Sequence, residues 1–164
     1  MHPALEEAMN QQIRAEFSSA YSYLAMAAYV EGDNWPGIAH WLKMQAQEEH
    51  EHAMRFFNFV LDRGGKVALQ GLPQPHAQYE SLREVFVQVV EHEKQITGLI
   101  NNLYGIAQQE KDYASIPFLQ EFLTEQVEEE KSANDVLTMV TRAGGSAQGL
   151  MMIDQHLGRR GAGH

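Results

Sequence analysis

Four stretches of this chain carry an apolar stripe at alternating three- and four-residue steps, and each stripe is broken near its middle by an acidic residue. The first reads Met9, Ile13, Glu16, Ala20, Tyr23, Ala27, and the second Leu42, Gln45, Glu49, His52, Phe56, Phe59. The third reads Phe86, Val89, Glu93, Ile96, Ile100, Leu103, and the fourth Leu119, Phe122, Gln126, Glu129, Ala133, Val136. A stripe at this period is the face that a helix turns to the core. An ionised carboxylate there is costly, and four facing one another add repulsion, so the fold requires a compensating cation or protonation. His52 is the one residue of the set able to supply positive charge. Bound divalent metal ions meet the requirement better, because carboxylate oxygen and imidazole nitrogen suit iron, manganese or zinc. Glu49 and His52, three residues apart, share one helix face. A Glu from one helix, Glu-x-x-His from the next and further Glu from a second hairpin is the pattern of a dinuclear carboxylate site in a bundle core.

The elements that must position these residues are set off by Gly and Pro, both absent from residues 4–31, 38–63 and 118–143. The spacing predicts helices over about 4–31, 36–63, 81–110 and 115–143, the third keeping its period through Gly98 and Gly105. Each is roughly 40 Å long at about 1.5 Å per residue. Short connections make the first two helices one antiparallel hairpin and the last two another. Residues 64–80 are long enough to cross the whole bundle and set the second and third helices parallel. Ser146 is placed to cap a short fifth helix ending near Leu157, and the tail from Gly158 to His164 is expected to fray. Residues 1–164 are therefore expected to form a single all-α domain, a four-helix bundle with one long crossover and a short C-terminal fifth helix.

Composition narrows the chemistry. Twenty-two acidic against 12 basic residues give a net charge of −10, the wrong sign for binding nucleic-acid phosphates. The absence of Cys removes disulfides, thiolate metal sites and thiol nucleophiles, leaving O and N ligands. No apolar run approaches a membrane span of ~20 residues, and the start, Met1 to Glu7, lacks the pattern of a secretory leader. A cytoplasmic location without membrane partners is the expectation. His50-Glu51-His52 is not a zinc-protease motif, which needs a second His where Met54 stands.

Residues Ala46-Gln47-Glu48-Glu49-His50-Glu51-His52 and Thr124-Glu125-Gln126-Val127-Glu128-Glu129-Glu130-Lys131 resemble the second- and fourth-helix signatures of the non-haem bacterial ferritins. The similarity runs from Glu16-Phe17-Ser18-Ser19 to Gly149-Leu150-Met151-Met152-Ile153-Asp154, in order and in register. The resemblance implies a ferritin-like bundle with a di-iron ferroxidase centre inside each subunit. Glu16, Glu49 and His52 would bind the first iron, with Glu49 bridging; Glu93 and Glu129 would hold the second, with Gln126 beside it. Glu48, Glu125 and Glu128 would form a third iron site towards the interior, and Tyr23 would hydrogen-bond near the centre and act as an electron donor. Two Fe(II) ions would be oxidised by O2 or H2O2 through a bridged diferric intermediate. The Fe(III) would then move inward to a ferric oxyhydroxide mineral within a shell of 24 subunits.

Periodicity alone puts Glu48, Glu125 and Glu128 on a solvated face, and spacing alone makes Tyr23 equally a plain core residue. His40, His50, His92 and His156 read as surface residues, with weak iron-entry ligands as the alternative. Bacterioferritins would show a haem-binding Met where His50 stands and Glu-x-x-His where this chain has Gln126 and Glu129, so no haem is expected. The alternatives kept open are a bacterioferritin-like cage and a non-cage di-iron oxidase.

Overall fold

Among the described residues five helices follow one another: α1 (Pro3–Gly32), α2 (Pro36–Asp62), α3 (Leu82–Gln109), α4 (Ser115–Ala143) and α5 (Ala147–Leu157). This computed structural model describes residues 1–161, and no strand occurs among them. Ala162, Gly163 and His164, the end of the tail expected to fray, lie outside the described residues. Pro3 and Pro36 occupy the first turns of α1 and α2, where a missing N–H costs nothing. Ser81 caps α3 by accepting from the Glu84 N–H, and Ser146 caps α5 by accepting from the Gly149 N–H. Gly64 after α2 and Gly144 after α4 have φ of 71° and 56°, left-handed values at which a side chain is strained.

The two hairpins pack as antiparallel pairs, α1 on α2 and α3 on α4, and α1 meets α3. The crossover between α2 and α3 is pinned to α1 by one buried side chain. The Asn10 amide donates to the Lys66 carbonyl at 2.9 Å and accepts from the Ala68 N–H at 2.7 Å. Arg14 adds a bond to the Gly71 carbonyl at 2.9 Å. Near the far end of the crossover Tyr79 is buried against Tyr29, with ring centroids 5.2 Å apart. The chain thus runs the length of α1 before α3 begins, which makes α2 and α3 parallel.

The fifth helix seats on the start of α2. No side chain caps α2 from Trp35, the residue before it; Asp154 of α5 instead accepts from the Ile38 N–H at 2.9 Å. A Cβ on Gly37 would lie 1.9 Å from the Asp154 carbonyl oxygen, so only glycine admits this approach. Arg160 in the tail contacts the bundle. The Arg160 guanidinium lies over the Trp41 ring, donates to the Trp41 carbonyl and pairs with Glu48 at 2.8 Å.

The core is two apolar clusters rather than one. One holds Val30, Ile38, Leu42, Phe86, Val89 and Val140; the other holds Leu5, Met9, Ile13, Phe56, Ile100 and Phe122. Between them lies a buried polar layer of Gln12, Glu16, Gln45, Glu49, His52, Glu93 and Gln126.

Candidate metal centre

Each of the four bundle helices delivers its acidic residue to this layer, because the 3.6-residue period that buries the flanking apolar residues also turns the Glu inward. Glu16, Glu49 and Glu93 are fully buried and His52 nearly so, whereas Glu129 is half-buried. Glu16, Glu49 and His52 offer ligand atoms that all lie within 4.8 Å of one another, the one such metal-ligating group among the described residues. His52 Nδ1 is 3.8 Å from Glu49 Oε1 and 4.0 Å from Glu16 Oε2. Those are distances across a space, too long for hydrogen bonds.

Hydrogen bonding around the layer is asymmetric. Glu93 accepts from the Tyr23 hydroxyl and from Gln126 Nε2, the latter at 3.2 Å, and Gln126 also donates to Thr97 Oγ1 at 3.1 Å. Glu16 accepts from Gln12 at 2.9 Å, and Glu129 accepts from Gln45 at 3.1 Å. Among the described residues, the buried side-chain polar atoms without any partner are Glu16 Oε2 and both carboxylate oxygens of Glu49. Unpaired buried carboxylate oxygens are costly unless something else satisfies them.

The electrostatics agree. Burial, then the charges of Glu16, Glu93 and Glu129, hold the Glu49 carboxyl well above the usual carboxylate range. Burial raises Glu93 too, although Tyr23 and Gln126 work against it. Glu129 is pushed up to about 7, by burial first and by Glu93 second. Burial, with Glu93 and Glu49 nearby, lifts the Tyr23 hydroxyl well above its ordinary value. The layer therefore takes up either protons or cations, and two of the orphaned oxygens, Glu16 Oε2 and Glu49 Oε1, face His52. That donor set fits a hard or borderline metal ion such as iron.

Next to this centre, Glu48, Glu51, His52, Arg55, Glu125, Glu128 and Glu129 line an open cleft of about 280 Å³. Two of its carboxylates already hold guanidinium partners, Glu125 with Arg55 at 3.0 Å and Glu48 with Arg160 at 2.8 Å. Arg55 also lies over Phe122, 4.1 Å from the ring centre, and reaches Glu121 at 2.8 Å.

Gln12, four residues before Glu16 on the same helix, carries a signal in the sequence, whereas Gln45, in the buried stripe of α2, finds its partner Glu129 on another helix. Arg55 and Arg160 left no such trace. His92 departs from the surface reading: it is partly buried, bonds to Ser19, lies edge-on to Tyr23, and is lowered to about 4 by burial. His40 departs as well, half-buried with Nε2 2.8 Å from the Arg160 carbonyl oxygen, whereas His50 and His156 are exposed.

A four-helix bundle that encloses carboxylates and one imidazole between two apolar clusters defines a metal-binding carboxylate bundle. Residues 6–143 match the model of the ferritin-like domain family. Over 156 residues the chain is 36% identical to a bacterial non-heme ferritin of Staphylococcus aureus, covering 95% of this chain and 94% of that one. It is 39% identical to a bacterial non-heme ferritin of Bacteroides fragilis over 95% and 97% of the two chains. A solved structure described as an open pore ferritin from the archaeon Archaeoglobus fulgidus superposes with a TM-score of 0.95 at 40% identity, over 96% of each chain. The chain belongs to the ferritin family.

Proposed function

We propose that this protein is an iron-storage ferritin that oxidises Fe(II) to Fe(III) at the buried centre. Iron is the substrate. Glu16, Glu49 and His52 take the first ion, Glu49 reaches across to the second, and Glu93 and Glu129 hold that second ion with Gln126 alongside. The observation that carries this reading is the set of three buried carboxylate oxygens, on Glu16 and Glu49, that have no hydrogen-bond partner, two of them, Glu16 Oε2 and Glu49 Oε1, facing His52.

Two Fe(II) give up one electron each. With O2 as oxidant, two protons are taken up and one H2O2 leaves; with H2O2, two protons are taken up and two waters leave. Oxygen donors favour the harder Fe(III), which drives the step. Tyr23, bonded to Glu93, holds that carboxylate and lies where it could pass an electron. Glu48, Glu125 and Glu128 in the adjoining cleft are a third site through which Fe(III) moves towards the interior. Copies of the chain assemble as a cytoplasmic shell of 24 subunits around a ferric oxyhydroxide mineral, without haem. Among the described residues no helix is long and apolar enough to cross a membrane.

Stopped-flow spectroscopy of the purified protein at two Fe(II) per subunit tests the oxidation, and native mass tests the shell. A rapid oxidation phase in a 24-subunit particle is expected. A particle the size of one bundle or a dimer with rapid oxidation would favour a non-cage di-iron oxidase, and no rapid phase would overturn the ferroxidase reading.

A further inference from the structure

Three of the four carboxylates in the buried layer are held by a glutamine side chain, and each amide serves a different one. Gln12 on α1 donates to Glu16 of the same helix one turn on, Gln45 on α2 donates across the bundle to Glu129 on α4, and Gln126 on α4 donates to Glu93 on α3. All three glutamines are at least 98% buried. Glu49 receives no such bond at either oxygen.

The chemical type of the clamp matters. A Lys or Arg beside a buried carboxylate would hold it in place and also neutralise it, so an incoming cation would have to displace the resident one. An amide N–H fixes one oxygen and leaves the negative charge available. The neighbouring cleft shows the contrast, since there Glu48 and Glu125 are held by Arg160 and Arg55. Glu16 shows the result of a neutral clamp most directly: Oε1 is occupied by Gln12, while Oε2 is unpartnered and faces His52.

We propose that Gln12 and Gln45 are positioning residues of the metal centre, which clamp one oxygen of Glu16 and of Glu129 so that the other is presented to metal. Glu49 is left unclamped so that the metals themselves set its position. This rests on the metal-centre reading above. The clamps pre-organise the terminal ligands before any ion arrives, and the unclamped Glu49 can close on one ion or span two.

The test uses the full-length assembled protein and Co2+ under anaerobic conditions, with isothermal titration for affinity and visible d–d absorption for coordination. Gln12→Met and Gln45→Met keep side-chain volume and remove the donor, so a role in packing alone would survive them. Each is expected to weaken Co2+ binding at the centre by about 10- to 100-fold, the usual effect of losing a partner that orients a ligand, and to alter the Co2+ spectrum. Unchanged isotherms and spectra in variants with wild-type circular dichroism overturn the proposal. Should a Met variant not fold, Gln12→Asn and Gln45→Asn keep the amide but withdraw it by one methylene; the same loss is expected, and full affinity overturns the proposal equally. Absence of Co2+ binding in the wild-type protein instead overturns the metal-centre reading itself.

Discussion

His52 and Glu125 join the buried centre to the open cleft. The imidazole Nε2 lies 3.1 Å from Glu125 Oε2, while Nδ1 on the other side of the ring faces Glu49 and Glu16. One side chain from α2 thus borders both compartments.

That junction makes His52 and Glu49 the most informative positions to change. His52→Ala and Glu49→Ala are each expected to slow the rapid phase of Fe(II) oxidation at least about tenfold, since these are proposed ligands and even partners behind a ligand matter that much. The helical fold should remain, because the two apolar clusters are complete without the polar layer. In the metal-free protein Glu49→Gln should raise the melting temperature most towards high pH, where the Glu49 carboxyl would otherwise ionise without a partner. Stopped-flow absorbance and thermal circular dichroism check both; an unchanged fast phase would remove these residues from the centre.

Stability of the metal-free protein should fall as pH rises through the range set by the raised carboxyls. A free glutamate titrates near pH 4.3, whereas Glu129 in the fold titrates at about 7 and Glu49 and Glu93 are also raised. Between those values the folded state binds protons that the unfolded chain has released, so their stabilisation is full below about 4.3 and is lost as pH passes the folded values. Asp112, lowered by Arg63, and His92, lowered to about 4 by burial, work the other way, Asp112 losing stabilisation as pH falls through its own depressed value and His92 as pH falls from about 6.5 towards 4. Thermal melts from pH 6.5 to 8, above the window of His92, should show a falling melting temperature, and a divalent cation should raise it more at pH 7.5 than at pH 5.5. A rising curve across this window for the metal-free protein would contradict the assignment.

Two glycines should respond in opposite directions. Gly37→Ala drives a Cβ into the backbone of Asp154, so it should unseat α5 and destabilise by about 1–3 kcal/mol or more. Gly98 lies exposed within α3 with nothing near its missing Cβ, so Gly98→Ala should stabilise by about 1 kcal/mol through helix propensity. Chemical denaturation of the two variants measures both signs. Equal effects would mean that α5 does not sit on the start of α2 as described.

Replacing Glu128 in the cleft should act on iron turnover after the first oxidation. With Glu128→Gln, the second of two successive Fe(II) additions is expected to differ from wild type, because that carboxylate lines the cleft beside His52 and belongs to the proposed third site. A second addition identical to wild type would return Glu128 to the role of a solvated surface residue.

The helices and their inward faces were legible in the sequence. Runs free of Gly and Pro become α1, α2 and α4, and in each stripe nearly every apolar residue is buried. The level of the site was legible too, since an acid interrupts each stripe near its middle and antiparallel hairpins bring those middles together. The 17 residues between Arg63 and Ser81 were enough to imply a crossover, because a chain that long need not turn back at the same end of the bundle.

Tertiary structure alone decided which polar atoms share each carboxylate. Periodicity reports the direction a side chain takes from its own helix axis; it says nothing of the axial offset and rotation between helices that bring two atoms within 3 Å. Gln45 therefore reads as a buried polar residue in sequence and becomes the donor to Glu129 only when α2 lies beside α4. For the same reason the pairing of Glu48 with Arg160, 112 positions further on, and the dependence of α5 on a bare Gly37 come into being only when the bundle closes.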